Sequence, residues 1–307
     1  MLSDKEIVCP NNNLDVAHKK KRVQAGIVNA GKSLPMLSVM DAVKEDLIIP
    51  TFIGDKNEIQ KCADDLKFDI SKYDIIDEPD ENGTAKVAAK LASKNKIKII
   101  VKGHIHTDVL MKEVIKKEYN LIGKTRLSHI WHMTLDKEDK PLIITDGALN
   151  VLPNVKTKMH ILKNVVNFSS RIGIERPKIS ILSATEEVLD SVQSSIEAKE
   201  LTDLAKKENL NADIFGPLAF DNSISKKSAA IKGIKNAVAG QADVILVPNI
   251  ESGNALVKIM IYFMGACAAG VVVGGKVPVV ITSRSDGASA RLASIAAAVV
   301  ALNWLFI

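Results

Sequence analysis

Hydroxyl, guanidinium and carboxyl groups follow directly after the apolar run at residues 277–281. The next residues are Thr282, Ser283, Arg284, Ser285, Asp286 and Gly287, and a helical pattern of small residues begins after them. The apolar run is typical of a buried strand, so these groups lie where a strand leads into the N-terminus of a helix. Free backbone N–H groups and the helix dipole attract anions there, and Arg284 can bind phosphate in bidentate fashion. The segment predicts a phosphate site; the alternative is a well-capped helix with a surface arginine.

Other apolar runs also end in polar, glycine-containing segments. The candidate substrate-binding residues at these ends are Lys102, Gly103, His106 and Thr107, then Asp146 and Asn150, and then Glu251, Gly253 and Asn254. Ligands of doubly wound sheets collect at the carboxyl ends of strands. A crevice that mixes cations, hydroxyls and carboxylates suits a phosphate-bearing substrate and a proton transfer.

The elements that position these residues alternate between strands and helices. The predicted strands are residues 26–30, 47–54, 97–102, 142–145, 179–182, 213–215, 244–247 and 277–281. The predicted amphipathic helices between them include segments near residues 35–46, 85–96, 108–119, 158–173 and 231–241. This βαβ rhythm predicts an α/β fold with mostly parallel, doubly wound sheets. The uncharged tract at 259–275 predicts a buried helix followed by a turn, since it is short for a membrane span.

Composition narrows the class of protein. The chain has 307 residues, enough for two domains, with 47% hydrophobic and 25% charged residues, as in ordinary globular proteins. Aromatic residues make up only 4%, which argues against a stacking surface for single-stranded nucleic acid, and no recognition motif accompanies the basic run at residues 18–22, so we expect no nucleic-acid partner. The net charge of +5 is mild and would suit a polyanionic small ligand. Cys9, Cys62 and Cys267 match no disulfide framework or zinc spacing, which favours a reducing compartment, and we expect a cytoplasmic protein with no membrane partner.

A P-loop is the first competing interpretation. Residues 26–33 match its pattern and end in Gly31, Lys32 and Ser33, which would bind ATP. A P-loop needs a buried strand that ends before its first glycine, whereas here the apolar residues lie inside the motif. We therefore interpret residues 25–30 as the strand and Gly31 to Ser33 as the turn into the helix opened by Pro35.

A metal site is the second competing interpretation. His104 and His106 are two residues apart, and His129 and His132 are three apart. No carboxylate falls at a recognisable ligand spacing, so we expect no metal and a hydrogen-bonding role for one of these histidines.

Four collinear motifs resemble the phosphate acetyltransferase and phosphate butyryltransferase family. They lie at residues 141–154, 214–221, 243–254 and 277–286. The resemblance implies reversible acyl transfer between coenzyme A and inorganic phosphate, with both as substrates, no permanently bound cofactor and a homodimer. It also implies two α/β/α domains with a cleft between them: residues 1–136 plus 274–307, and an inserted domain at 137–273.

The same resemblance assigns catalytic roles. Ser283 would orient or stabilise the transition state, Arg284 would hold the acyl-phosphate oxygens, and Thr107 would lie near the phosphate. Chemistry agrees, because a thiol with a pKa of about 8.5 must lose its proton and the resulting oxyanion needs a positive partner. Arg291 is also expected to bind substrate.

The chain departs from the acetyl branch of the family at several positions. In that branch an aspartate is proposed as the base for the thiol, and this chain has Ala290 at the same position. Asp286 is therefore the predicted base, and Glu251 is the second candidate. Gly147 replaces a cysteine, Tyr262 an arginine and Lys102 a serine, as in the butyryl branch. Acetyl is the slightly favoured acyl group, because it is the commoner one in metabolism, and butyryl is the alternative.

Overall fold

The computed structural model describes residues 2–135, 140–283 and 286–302. Its strands are β1 (Val23–Val28), β2 (Ile48–Gly54), β3 (Ile75–Asp77), β4 (Ile99–Lys102), β5 (Ser128–Thr134), β6 (Leu142–Thr145), β7 (Lys178–Leu182), β8 (Asp213–Leu218), β9 (Val244–Leu246), β10 (Cys267–Val273) and β11 (Val279–Val280). Its helices are α1 (Asn11–His18), α2 (Ser33–Lys44), α3 (Lys56–Asp65), α4 (Glu81–Ser93), α5 (Thr107–Val114), α6 (Val155–Arg171), α7 (Gln193–Lys207), α8 (Phe220–Ile224), α9 (Lys226–Ile231), α10 (Ile250–Met264) and α11 (Ala288–Ala301). Among the described residues, no helix is both long and apolar enough to cross a membrane.

One compact unit contains residues 6–124 and 267–302. Its strands lie in the order β3-β2-β1-β4-β11-β10. They are parallel, except that β10 is antiparallel to β11. After β1, the chain adds β2 and β3 on one side of it and then returns to place β4 on its other side. The order in which strands are added therefore reverses between β1 and β4. The carboxyl ends of β1, β4 and β11 therefore share one edge, where such sheets bind ligands.

The other compact unit contains residues 2–5, 125–135 and 140–266. Its strands lie in the order β5-β6-β9-β7-β8, with β5 antiparallel to β6 and the other pairs parallel. The predicted α/β class with mostly parallel sheets is thus confirmed. The predicted domain boundaries stay a prediction; within the described residues, the compact units divide the chain at 5/6, 124/125 and 266/267.

Capping side chains fix where several helices begin. Asp55, Asp80, Asn154 and Asn249 each accept a hydrogen bond from the backbone N–H three residues ahead. Short polar side chains satisfy the unpaired N–H groups of a first helical turn and stabilise it by about 1 kcal/mol each. Because Asn249 comes soon after β9, its cap helps to hold the predicted site residues that follow it at the carboxyl edge of that strand.

Helix α11 is buried on all of its sides from Ala290 to Val300. Its small residues allow close packing, and the Ser294 hydroxyl accepts the N–H of Gly270 in β10 at 2.9 Å. The Asn13 side chain of α1 donates to the Ala293 carbonyl at 2.8 Å. The described part of the uncharged C-terminal segment therefore packs in the core.

Two predicted elements are wrong. The segment 231–241 is not a helix, because α9 ends at Ile231 and both Gly233 and Gly240 have positive φ. The tract 259–275 is not a buried helix with a turn. Helix α10 ends at Met264 with four exposed apolar residues near its end, and 267–273 form strand β10.

Candidate active site

The loop after β11 is held by hydrogen bonds that converge on Ser283. The Asp286 carboxylate accepts the Ser283 N–H at 2.7 Å, and the Asp286 N–H donates to the Ser283 carbonyl at 3.2 Å. Asp286 itself is buried. These two bonds form a tight turn that fixes the direction of the Ser283 backbone. Arg284 and Ser285 lie outside the described residues.

Arg291 supports this turn from the first part of α11. Its Nη2 donates to the Ser283 carbonyl at 2.8 Å, and its Nε donates to the Asp286 carbonyl at 3.0 Å. The side chain is buried, and burial lowers the pKa of the guanidinium, although nearby Asp286 raises it. Arg291 was predicted to bind substrate. Its hydrogen bonds to Ser283 and Asp286 join it to the loop backbone, which suits a positioning role.

Cys267 lies near the same turn. Burial raises the pKa of its thiol to about 12, and the negative charge of Asp286 adds to the increase. A thiol with such a pKa is uncharged at neutral pH and is a poor nucleophile. Cys267 therefore serves as a packing residue beside the turn.

The end of β4 is tied to the end of β1. Gly103 donates its N–H to the Val28 carbonyl at 2.8 Å, and the Asn29 side chain donates to the His104 carbonyl at 2.7 Å. A Cβ at residue 103 would lie 2.4 Å from the Asn29 carbonyl oxygen, so only glycine fits. Lys102, predicted to bind substrate, is the buried last residue of β4.

His106 and Thr107 follow at the start of α5. Oε1 of Glu81 accepts the His106 backbone N–H at 2.7 Å and lies 2.8 Å from the His106 Nδ1. The imidazole is largely exposed, with 60% of its surface accessible to solvent. Thr107 is the first residue of α5 and is partly exposed. The expected hydrogen-bonding histidine is therefore His106, and Glu81 is its partner.

In the other unit, Asp146 organises the loop after β6. Its buried carboxylate accepts the N–H groups of His129, Ala148 and Leu149 at 2.9 to 3.1 Å and the Asn150 amide at 2.7 Å. The Asn150 amide also donates to a main-chain carbonyl at 3.0 Å. Asp146 and Asn150, both predicted to bind substrate, are hydrogen-bonded to each other, and both brace the loop backbone.

The loops after β6 and β9 touch through two glycines. A Cβ on Gly147 would lie 2.8 Å from the Gly253 carbonyl carbon, and a Cβ on Gly253 would lie 2.6 Å from the Gly147 Cα. Both positions therefore require glycine. Glu251 and Asn254 are exposed in the first turns of α10, at the same carboxyl edge.

Neither competing interpretation fits the geometry. Gly26 lies inside β1, where a Cβ would meet Ile97 at 2.5 Å, and α2 begins at Ser33, so residues 26–33 do not form a loop around a phosphate. His129 and His132 are both buried in β5, three residues apart, and so face opposite sides of the strand. Among the described residues, no three His, Cys, Asp or Glu side chains come together as a metal cluster.

Sequence reasoning missed two residues of the site. Glu81 holds His106 from 25 positions away, and Asn29 ties the β1 and β4 ends together with a φ of 56°. The position of Glu81 could have been predicted from Asp80. An aspartate before a helical pattern predicts an N-cap, which would place Glu81 in the first turn of a helix.

Comparison with known proteins agrees with this architecture. The family model described as "Phosphate acetyl/butaryl transferase" matches residues 80–299. A phosphate acetyltransferase of Rhizobium meliloti is 36% identical over 84% of this chain and 82% of its own length. A phosphate butyryltransferase of Clostridium acetobutylicum is 34% identical over 95% of this chain and 98% of its own length.

Solved structures share the fold. A branched-chain phosphotransacylase from Enterococcus faecalis V583 superposes with a TM-score of 0.81 at 32% identity, covering 92% of this chain and 99% of that one. A phosphotransacetylase from Streptococcus pyogenes has the same fold, with a TM-score of 0.80 at 20% identity over 94% and 97% of the two chains. The resemblance of the four sequence motifs is thereby confirmed. The chain belongs to the phosphate acetyl/butyryl transferase family and is an acyltransferase.

Proposed function

We propose that this protein transfers a short acyl group reversibly between coenzyme A and inorganic phosphate, giving acyl phosphate and free coenzyme A. The observation that carries the proposal is the Ser283 turn. Asp286 and Arg291 fix its backbone at the carboxyl edge of the sheet, directly before the N-terminus of α11. A serine with a fixed backbone, close to a helix N-terminus, is suited to binding a phosphate ester and a developing oxyanion.

Ser283 is the proposed hydrogen-bond donor to the transition state, and Arg284 is the proposed cation that holds the acyl-phosphate oxygens. The tetrahedral intermediate carries a negative charge on its former carbonyl oxygen, which such donors stabilise. Phosphate is a good leaving group, so positioning and charge stabilisation suffice in this scheme without a metal. Asp286 is the base that the sequence favours, and its bond to the Ser283 N–H supports a positioning role as well.

The remaining predicted residues are proposed to bind the substrates. Lys102 is the last residue of β4, and Gly103 and Thr107 follow it. Strand β4 is the parallel neighbour of β11, whose following loop contains Ser283. Asp146, Asn150, Glu251, Gly253 and Asn254 lie at the carboxyl edge of the other unit's sheet. In that unit, Asp146 and Asn150 act through the loop that they brace, whereas Glu251 and Asn254 are exposed and free to contact a ligand directly.

Acetyl is the proposed acyl group, and butyryl is the second candidate. Gly147 favours the second, because the backbone of Gly253 leaves no room at residue 147 for the cysteine of the acetyl branch. The match to the butyryltransferase of Clostridium acetobutylicum over nearly the whole of both chains also supports it. Two methylene groups change binding by only about 1 to 3 kcal/mol each, so both substrates have to be measured.

The test is phosphate-dependent loss of thioester absorbance, with acetyl-CoA and butyryl-CoA assayed side by side. We expect Arg284→Ala to lower kcat by roughly 100-fold or more, as loss of an oxyanion donor does. Arg22→Ala is the matched control, since Arg22 is an exposed arginine whose contact is an ion pair with Asp46 at 3.1 Å. If the folded wild-type protein consumes neither thioester at saturating phosphate, the proposal is wrong for these substrates.

A homodimer is proposed as the working state. Ile259, Tyr262 and Phe263 expose 44 to 51% of their surfaces on α10, at the i, i+3 and i+4 spacing that gives one apolar face. Contiguous exposed apolar residues commonly mark a protein interface. Sedimentation of wild type and of Phe263→Asp decides this point: a monomeric wild type at micromolar concentration contradicts it.

The cytoplasm is the proposed location. Cys9, Cys62 and Cys267 are all free thiols, which suits a reducing compartment. Fractionation of the source cells followed by the thioester assay tests this assignment, and activity confined to a membrane or secreted fraction would contradict it.

A further inference from the structure

We propose that His106, oriented by Glu81, is the general base that takes the proton from the coenzyme A thiol. The inference rests on the acyl transfer proposed above and assigns one step of it. Histidine is the side chain most often used as a general base, and a carboxylate that orients the ring is its usual partner.

The hydrogen bonds of Glu81 select the tautomer of His106. A carboxylate can only accept hydrogen bonds, so Nδ1, at 2.8 Å from Oε1, carries a proton. The neutral ring then has its lone pair on Nε2, which is the atom able to accept a proton. The same Oε1 also accepts the His106 backbone N–H at 2.7 Å, so both the ring and its backbone are held by one carboxylate oxygen.

The position of His106 in the sheet brings it to the edge that carries Ser283. Strands β4 and β11 are parallel neighbours, with Val101 opposite Val280. His106 lies five residues beyond Val101, and Ser283 lies three residues beyond Val280, both past the carboxyl ends of their strands. The imidazole is 60% exposed there, so a substrate thiol can approach it.

The alternative bases in this unit are less suitable. Residue 290 is Ala290, which is buried and has no titratable group. Asp286 is also buried, and its Oδ2 already accepts the Ser283 N–H at 2.7 Å. Protonation of Asp286 would weaken the turn that holds Ser283, whereas protonation of His106 at Nε2 would strengthen its bond to Glu81.

Nε2 of His106 accepts the thiol proton while the thiolate sulfur forms a bond to the acyl carbon of the acyl phosphate. The carbon–oxygen bond to phosphate breaks, its electron pair leaves with the phosphate oxygen, and that oxygen takes the proton from the imidazolium. The products are the thioester and hydrogen phosphate, and His106 is regenerated. In the reverse direction, the imidazolium protonates the departing thiolate.

The test compares His106→Ala and His106→Gln with His18→Ala in both directions of the reaction. His18 is a matched control, because its Nε2 also pairs with a carboxylate, that of Glu45 at 3.0 Å, and it is similarly exposed. We expect both His106 variants to lose about 100-fold or more in kcat in each direction, with a melting temperature near that of wild type. Added imidazole should restore part of the activity of His106→Ala, which a purely structural role would not allow.

Glu81→Gln should lower kcat by a smaller factor, about 10-fold, because the amide still holds the ring but no longer stabilises its charged form. The inference is overturned if the wild type is active and His106→Ala stays within about threefold of it, or if its loss is confined to KM. It is also overturned if imidazole fails to rescue the folded His106→Ala variant. An inactive wild type instead refutes the proposed function, so the two failures are distinguishable.

Discussion

The guanidinium of Arg291 donates a hydrogen bond to the backbone carbonyl of Ser283 at 2.8 Å. Arg291 of α11 thereby holds Ser283, the residue proposed to act on the substrate, although eight positions separate the two in sequence. The Arg291 side chain is buried, and a charged donor to a carbonyl is stronger than a neutral one. Ser283 is therefore held through both its backbone N–H and its backbone carbonyl.

Replacement of Arg291 by lysine should lower kcat by roughly 10- to 100-fold with a smaller change in KM. A lysine ammonium cannot reproduce the two diverging bonds to Ser283 and Asp286, and a reacting group displaced by about 1 Å costs about this much. Steady-state kinetics with varied phosphate separates the two constants. Arg22→Lys, at an exposed ion pair, should keep wild-type kinetics. A large rise in KM for phosphate at unchanged kcat would instead assign Arg291 to substrate binding.

Asp146→Ala should destabilise the protein by about 3 kcal/mol or more. The variant leaves several buried or partly buried N–H donors without their acceptor, and each loss at a buried donor costs about 1 to 3 kcal/mol. Urea unfolding measures the change. Asp203→Ala removes only a surface ion pair with Lys199 and should cost less than about 1 kcal/mol. Equal losses in the two variants would show that the Asp146 bonds add little.

The sequence could predict the sheet edges of the site because buried parallel strands are continuous apolar runs with clear ends. This is why the residues after β4, β6, β9 and β11 were found. Strand β5 was missed because its two buried histidines interrupt the apolar pattern. Strand β10 was missed because its alanines, glycine and valines suit either a helix or a strand.

Tertiary contacts explain the other misses. Glu81 meets His106 only because α4 packs against α5, and no local spacing encodes that packing. The bonds of Arg291 to Ser283 and Asp286 likewise depend on how α11 leaves its preceding loop. Residue type led to the prediction that Arg291 binds substrate; it could not reveal that the guanidinium donates to two carbonyls of the chain.

Gly147→Cys, which introduces the residue of the acetyl branch, should reduce stability and turnover together. The new Cβ would lie 2.8 Å from the Gly253 carbonyl carbon, so the loops after β6 and β9 have to separate. Thermal unfolding and the thioester assay measure the two effects, and Gly147→Ala should behave similarly, because the clash arises at Cβ. A stable, active Gly147→Cys would mean that the loops separate at little cost.

His132 should make the stability of the protein depend on pH between about 4 and 6.5. Burial lowers the pKa of its imidazole to about 4, whereas a histidine in an unfolded chain has a pKa of about 6.5. The unfolded state therefore binds more protons in this interval, and the free energy of unfolding increases with pH. The contribution is fully present above pH 6.5 and is lost as the pH falls towards 4, by roughly 3 kcal/mol in total.

Urea unfolding of wild type and of His132→Leu at pH 7.5 and pH 5 tests this dependence. His132 is buried, and its Nδ1 has no hydrogen-bond partner within the described part of the chain, so an apolar side chain of similar size removes the titrating group without leaving a donor unpaired. We expect the difference in unfolding free energy between the two pH values to shrink in His132→Leu. His18→Leu, at an exposed position, should retain most of the wild-type difference. An unchanged difference in His132→Leu would mean that His132 stays uncharged in the unfolded chain or becomes solvated in the folded one at pH 5.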